Sequence, residues 1–167
     1  VAQTRTDGTT SLFMAARQGY RSIVALLLAH NADPEQARTD GVTPLFIAAQ
    51  NGHRETVALL LDSGANMTRA RTDGTTPLIV AAEQGHHDIV ALLLGRGVDV
   101  KQATTDTSMT ALHVAALHGH RKTVVLLLKQ GADKSAKATT GERPVDLARQ
   151  HGHSTLVPIL DLPTLKP

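Results

Sequence analysis

The chain has no cysteine, and its aromatic residues are confined to two Phe and one Tyr. Without cysteine there is no disulfide framework and no thiolate nucleophile, and the redox compartment stays open. With 41% hydrophobic residues and 2% aromatics, the core must be built from Leu, Val, Ile and Ala, which favours close helix packing over an aromatic-centred sandwich. No apolar run approaches the roughly 18 residues of a membrane span, so no membrane contact is expected. Charge of neither sign dominates. The formal net charge is +2, and acids and bases are interspersed, without the basic stripe that a nucleic-acid binder needs. The start, Val1-Ala2-Gln3-Thr4, has neither a signal-peptide pattern nor an initiator Met, and reads as that of an excised or processed piece. An intracellular, cytoplasmic home is the expectation.

Signs of chemistry are missing as well. Glycines recur singly, never as a phosphate-cradling G-x-G-x-x-G or P-loop string. Ser22, Ser108 and Ser154 sit where the counterparts in other copies are different residues, which suggests no triad. No catalytic residue is expected, and the chain is read as not an enzyme.

What is present is a period. Arg5-Thr6-Asp7-Gly8 returns as Arg38-Thr39-Asp40-Gly41 and Arg71-Thr72-Asp73-Gly74, about 33 residues apart; Thr104-Thr105-Asp106 follows, and Ala138-Thr139-Thr140-Gly141 opens a fifth copy. Thr43 suits a helix N-cap, and Pro44 suits its first position. Gly52 and Gly64 suit the left-handed ends of two successive helices. In the second helix Val57, Leu60 and Leu61 share a face that Thr56 and Leu59 widen, so cover from more than one side is expected. Ala48 and Ala49 keep the first helix thin enough for the next copy to approach. The copies should stack. Asp40-Gly41 and Asp73-Gly74 suit tight hairpins at the junctions.

The string around Thr-Pro-Leu, Ala-Ala, Gly-His, Val, Leu-Leu-Leu and Gly-Ala, as at Thr43 to Ala65, resembles the ankyrin repeat over about residues 5–162. The resemblance implies an all-α solenoid of stacked helix-turn-helix units with projecting β-hairpin turns. It also implies a protein–protein interaction module whose partner is another protein bound on a concave face. One domain is expected over 1–162, with copies at about 5–37, 38–70, 71–103, 104–137 and 138–162, followed by a tail at 163–167. This sequence departs from the family in having Arg5, Arg38 and Arg71 where Asp is usual. Phe13, Phe46, Ile79 and Asp146 replace the usual His, kept only at His113, so apolar packing is expected there. The fourth copy carries an extra residue within Asp106 to Thr110, and an irregular hairpin should follow.

The two ends differ. Arg149, Asp161 and Pro158 make the last copy read as a polar cap with a short or distorted second helix. The first copy, with Phe13, Met14 and Ile23 to Leu28, lacks an evident cap. The expectation is further structure upstream or, failing that, self-association of an otherwise monomeric chain through that copy.

His53, His86, His120 and His153 share the post-glycine position, held by Tyr20 in the first copy, and read as structural. A zinc site shared by His118 and His151 is the sharper alternative. Adjacent helices lie roughly 8–10 Å apart while Zn–N bonds are about 2 Å, so no metal or cofactor is expected. The Arg5, Arg38, Arg71 column beside Asp7, Asp40, Asp73 and Asp106 admits two readings: a ladder in which Arg of one hairpin pairs with Asp of another, or a row that meets an acidic partner, and the ladder is favoured. Phe13, Phe46 and Ile79 read as core.

Positions that vary between copies on a constant framework are the contact candidates. They are Arg17, Gln18, Gln50, Asn51, Glu83, Gln84, Leu117 and His118 at the first-helix ends and Thr9, Val42 and Thr75 beside the turns; Asp40 and Asp73, constant at the turn tips, complete the expected contact set. Met109, Leu117 and His118 form an apolar spot suited to a hot spot. Two further readings are an engineered or consensus-like scaffold, supported by the repeated Ala-Leu-Leu-Leu and opposed by the irregular details, and a targeting domain excised from a larger protein or enzyme.

Overall fold

Thr43 is extended, with φ −90° and ψ 165°, and its hydroxyl accepts a hydrogen bond of 3.1 Å from the Phe46 amide. Pro44 follows at the first helical position, where the amide it lacks would have had no partner. A helix therefore begins there, and Thr10 and Thr76 start two others in the same way. Gly52, at φ +80°, ends it, and the His53 amide folds back to the Ala48 carbonyl at 3.0 Å. In the first copy Asn31 replaces the glycine at the end of the second helix, and takes φ +62°. Asparagine is among the few residues that reach this region at modest cost.

Residues 6–161 are described in this computed structural model. They form α1 (Ser11–Gln18), α2 (Arg21–Ala29), α3 (Pro44–Gln50), α4 (Arg54–Asp62), α5 (Pro77–Glu83), α6 (His87–Gly95), α7 (Ala111–Leu117), α8 (Arg121–Lys129), α9 (Pro144–Gln150), a 3₁₀ turn at Ser154–Leu156 and α10 (Val157–Asp161). The chain is thus an all-α solenoid of helix pairs. Arg5 of the arginine column and the tail expected at 163–167 lie outside the described residues.

The odd-numbered helices pack in one row and α2, α4, α6 and α8 in a second, with the odd row held more closely together. The alanine pairs Ala48/Ala49, Ala81/Ala82 and Ala115/Ala116 are fully buried and permit that approach. A stack tighter on one side than on the other must curve, so the odd helices line its inside. Between the rows Leu45, Leu60, Leu78, Leu93, Leu112 and Leu127 are completely enclosed. They belong to one apolar cluster that runs from Leu12 to Leu160.

Successive turns are joined by main-chain hydrogen bonds: Thr39 to the Asp7 carbonyl at 3.1 Å, Thr72 to Asp40 at 3.1 Å, Thr105 to Asp73 at 3.0 Å and Thr139 to Thr107 at 2.9 Å. The turns of the second to fifth copies each close as a hairpin, for example by the Arg38 amide on the Val42 carbonyl at 3.0 Å. The paired segments are too short to form strands; Ala103–Thr110 is an isolated bridge, and no strand occurs among the described residues. The extra residue of the fourth copy is absorbed by Ser108 at φ +54°, and Thr107 supplies the carbonyl that Asp73 supplies one copy earlier.

At the last copy the second helix is split into the 3₁₀ turn and the five-residue α10, with Pro158 at its second position. The first copy leaves Met14, Tyr20, Ile23 and Leu26 exposed.

Candidate functional site

The inner row ends in a register that histidines fix. His53 Nε2 donates to the Arg17 carbonyl at 2.9 Å, His86 to Gln50 at 2.9 Å, His120 to Glu83 at 2.8 Å and His153 to Leu117 at 3.0 Å. Each ring lies beneath the glycine that ends the preceding copy's inner helix: a Cβ built on Gly52 would come within 2.7 Å of His86 Cε1. The bond therefore holds in place a residue whose side chain changes from copy to copy. Arg17, Gln50, Glu83 and Leu117 occupy one file along the inner face, and Gln18, Asn51, Gln84 and His118 the next.

His118 is engaged locally. Its Nδ1 donates to the Val114 carbonyl at 3.0 Å, and its ring stacks on His120 with centroids 5.9 Å apart. Among the described residues no three His, Asp or Glu side chains are grouped as a metal site requires.

The turns correct the expected ladder. Arg38 pairs with Asp40 of its own turn at 3.3 Å, and Arg71 with its own Asp73 through Nε at 3.1 Å and through Nη2. The cause is local: each aspartate already accepts the amide two residues on, Val42 at 3.1 Å and Thr75 at 3.0 Å, which turns its carboxylate into its own hairpin. The bond to Arg71 holds the Asp73 carboxyl well below the usual carboxylate range and raises Arg71 in return. What passes between copies is a stacking contact instead. Arg38 lies over the Phe13 ring of the preceding copy at 5.5 Å, and Arg71 over Phe46 at 5.7 Å. Phe13, Phe46 and Ile79 are themselves buried.

His113 is also buried. Its Nδ1 accepts the Thr110 amide at 3.2 Å, and its Nε2 donates to the Ala136 carbonyl at 3.1 Å; burial pushes its pKa down. Apolar packing was expected at the counterpart Asp146, which instead accepts the Arg143 amide at 3.0 Å. A carboxylate thereby takes over half of the histidine's bonding at that cap.

The structure divides the expected contact residues. Arg17, Gln50, Asn51 and Gln84 line one cleft of about 390 Å³ together with Phe13, Arg38 and Ile47. Glu83, Leu117 and Met109 are partly exposed and His118 is open, farther along the same face. Asp40 and Asp73 are partly exposed and paired to their arginines. Gln18 lines the outer end of the stack with Met14, Tyr20 and Ile23. Thr9, Val42 and Thr75 are corrections. Each is at most 6% exposed, so each offers little surface to a partner, although Thr9 still lines the cleft with Gln18 at the outer end. The sequence offered Arg38 to an acidic partner as one of its column but did not place it in this cleft. A basic residue six positions before an inner helix gives no sign of where its guanidinium lands. A larger cleft of about 640 Å³, between Val100, Lys101, Ala132, Lys134 and Ile159, holds none of the expected residues.

No helix among the described residues is long and apolar enough to cross a membrane. The model of the family described as ankyrin repeats (3 copies) matches residues 1–71 and 66–138. No curated protein matches the chain. Ankyrin repeats generally serve as protein–protein interaction modules. On the repeat match, and on the stacked helix pairs and hairpin turns that accompany it, the chain belongs to the ankyrin repeat family.

Proposed function

We propose that the inner face, from the cleft at Arg17 and Gln50 to Leu117 and His118, binds another protein, and that the chain is a recognition module with no chemistry of its own. The observation that carries this reading is the histidine file. Four hydrogen bonds of 2.8–3.0 Å anchor the main chain at inner-face positions where the side chains differ between copies. A surface already ordered before binding loses little conformational entropy on binding. Side chains that vary on a constant scaffold are what selects one partner over another. Met109, Leu117 and His118 supply an apolar centre flanked by the polar files.

Photo-crosslinking tests the face directly. A benzophenone side chain placed at Gln84 or Leu117 should capture the same partner from cell extract, whereas one at Lys122, exposed on the outer row, should not. Capture from Lys122 with none from the inner positions would refute the choice of face. Leu117→Ala and Gln50→Ala should each weaken capture without altering the melting transition.

A further inference from the structure

The cleft at Arg17 and Arg38 collects two guanidinium side chains and three carboxamides, those of Gln50, Asn51 and Gln84, and no carboxylate is among its lining residues. Arg17 is exposed and has no ion pair among the described residues. Arg38 and Arg71 are counterparts one copy apart, and their bonding differs. Arg71 engages both oxygens of Asp73 as a fork, with its Nε among the donors. Arg38 reaches Asp40 only through Nη2, at 3.3 Å, and its Nε is enclosed with no acceptor. The guanidinium lies over the Phe13 ring, 5.5 Å from its centroid, and the side chain lines the cleft. Neighbouring charge reinforces the contrast. Asp40 and Glu83 both act on Arg71, whereas the file position beside Arg38 holds the neutral Gln50. The carboxylates that face Arg38 are Asp40 and, from the preceding turn, Asp7, whose oxygen already accepts the Thr9 amide at 3.0 Å.

We propose that this cleft recognises a carboxylate carried by an extended segment of the partner protein. It is received between Arg17 and the outer nitrogen, Nη1, of Arg38, with the Gln50 and Gln84 amides closing over the adjoining peptide groups. The proposal rests on the inner-face reading and deepens it by giving the partner a chemistry. A carboxylate has two oxygens and can take a charge-assisted N–H bond from each of two neighbouring guanidinium groups. Leu117 lies two inner helices beyond α3, about 16–20 Å away at 8–10 Å per step. An extended chain covers that distance in about five or six residues at roughly 3.3 Å each. The segment thus carries an acidic residue at one end and an apolar one about five or six positions away.

The test uses the full chain to select from a displayed library of random twelve-residue peptides. The enriched sequences are then synthesised with free and with amidated C-termini. Enriched peptides should share an Asp or Glu at one aligned position, and replacing it by Asn or Gln should cost about tenfold in affinity. Arg17→Gln and Arg38→Gln should each cost a similar factor, Arg38→Lys less, with circular dichroism confirming that the variants are folded. Unchanged binding after amidation assigns the carboxylate to a side chain, and loss of binding assigns it to a chain terminus; both support the site. Peptides that lose binding in Leu117→Asp but keep it in both arginine variants would overturn the carboxylate site while leaving the inner face standing. Enrichment of peptides indifferent to all these variants, or no enrichment at all, would overturn both.

Discussion

Ile23 and Thr56 stand at the same point of successive outer helices, yet Ile23 is 47% exposed and Thr56 only 1%. Ile89 and Thr123, at that point in α6 and α8, are likewise 1% exposed. An apolar residue lies outside and two polar ones inside, so burial in this stack is conferred by the preceding helix pair and not by the side chain itself. The last copy meets the same problem differently. Its short α10 ends in Asp161, which pairs with Arg149, and Arg149 also approaches Asp146 at 3.6 Å. Among the described residues, one end of the stack therefore presents exposed apolar side chains and the other carries paired charges.

The sharpest way to break the comparison is to place a charge at each location. Leu60→Asp puts a carboxylate at a fully enclosed interior position and should cost roughly 5 kcal/mol or more, removing the cooperative melt of the array. Leu26→Asp, at a position 59% exposed at the open end, should change stability by about 0.5 kcal/mol or less in a denaturant titration. Equal losses would mean that the first helix pair is covered.

A smaller effect separates two glycines that share the left-handed conformation. Gly52→Ala meets both the strain of φ +80° and the His86 ring, and should cost about 2 kcal/mol or more. Gly64, at φ +87°, has nothing within 4 Å of a new Cβ, and Gly64→Asn should cost under about 1 kcal/mol, as Asn31 in the first copy indicates.

Smaller still is a pH effect at the inner caps. His113 has its pKa lowered by burial, so the unfolded chain binds its proton more readily than the folded one. Its contribution is complete above the unfolded pKa near 6.5 and is lost as the pH falls below that value. Melts at pH 7 and pH 5 should show the decline, and His113→Ile, which copies Ile79 of α5, should reduce it. Least of all, Arg149→Ala at the charged end removes a pair that is nearly half exposed on both sides, and should cost no more than about 1 kcal/mol, less in high salt.

Much of this was legible in the residues because the caps act locally. Thr43, Pro44 and Gly52 determine where a helix starts and stops from their own backbone chemistry, and the 33-residue period copies that answer along the chain. The post-glycine histidines could be read as structural from placement alone. Contacts that depend on the rise of the stack were not legible. The stacking of Arg38 on Phe13 joins residues of different copies, and so does the meeting of Arg17, Arg38 and Gln84 in one cleft. Only the packed geometry decides such distances. The turns misled in a different way. Thr9, Val42 and Thr75 vary beside exposed aspartates and read as surface, but each is buried. Asp146 looked like a lost histidine because a carboxylate and an imidazole share no sequence resemblance, although both can accept the same capping amide.

Native-state hydrogen exchange on the intact chain bears most directly on the claim that each helix pair is held by its neighbours. Amides of α3 to α8 should be the slowest and share one opening free energy, with faster exchange in α1, α2 and α10. Protection in α2 equal to that in α6, or interior pairs that open one at a time with unrelated free energies, would contradict the shared interior.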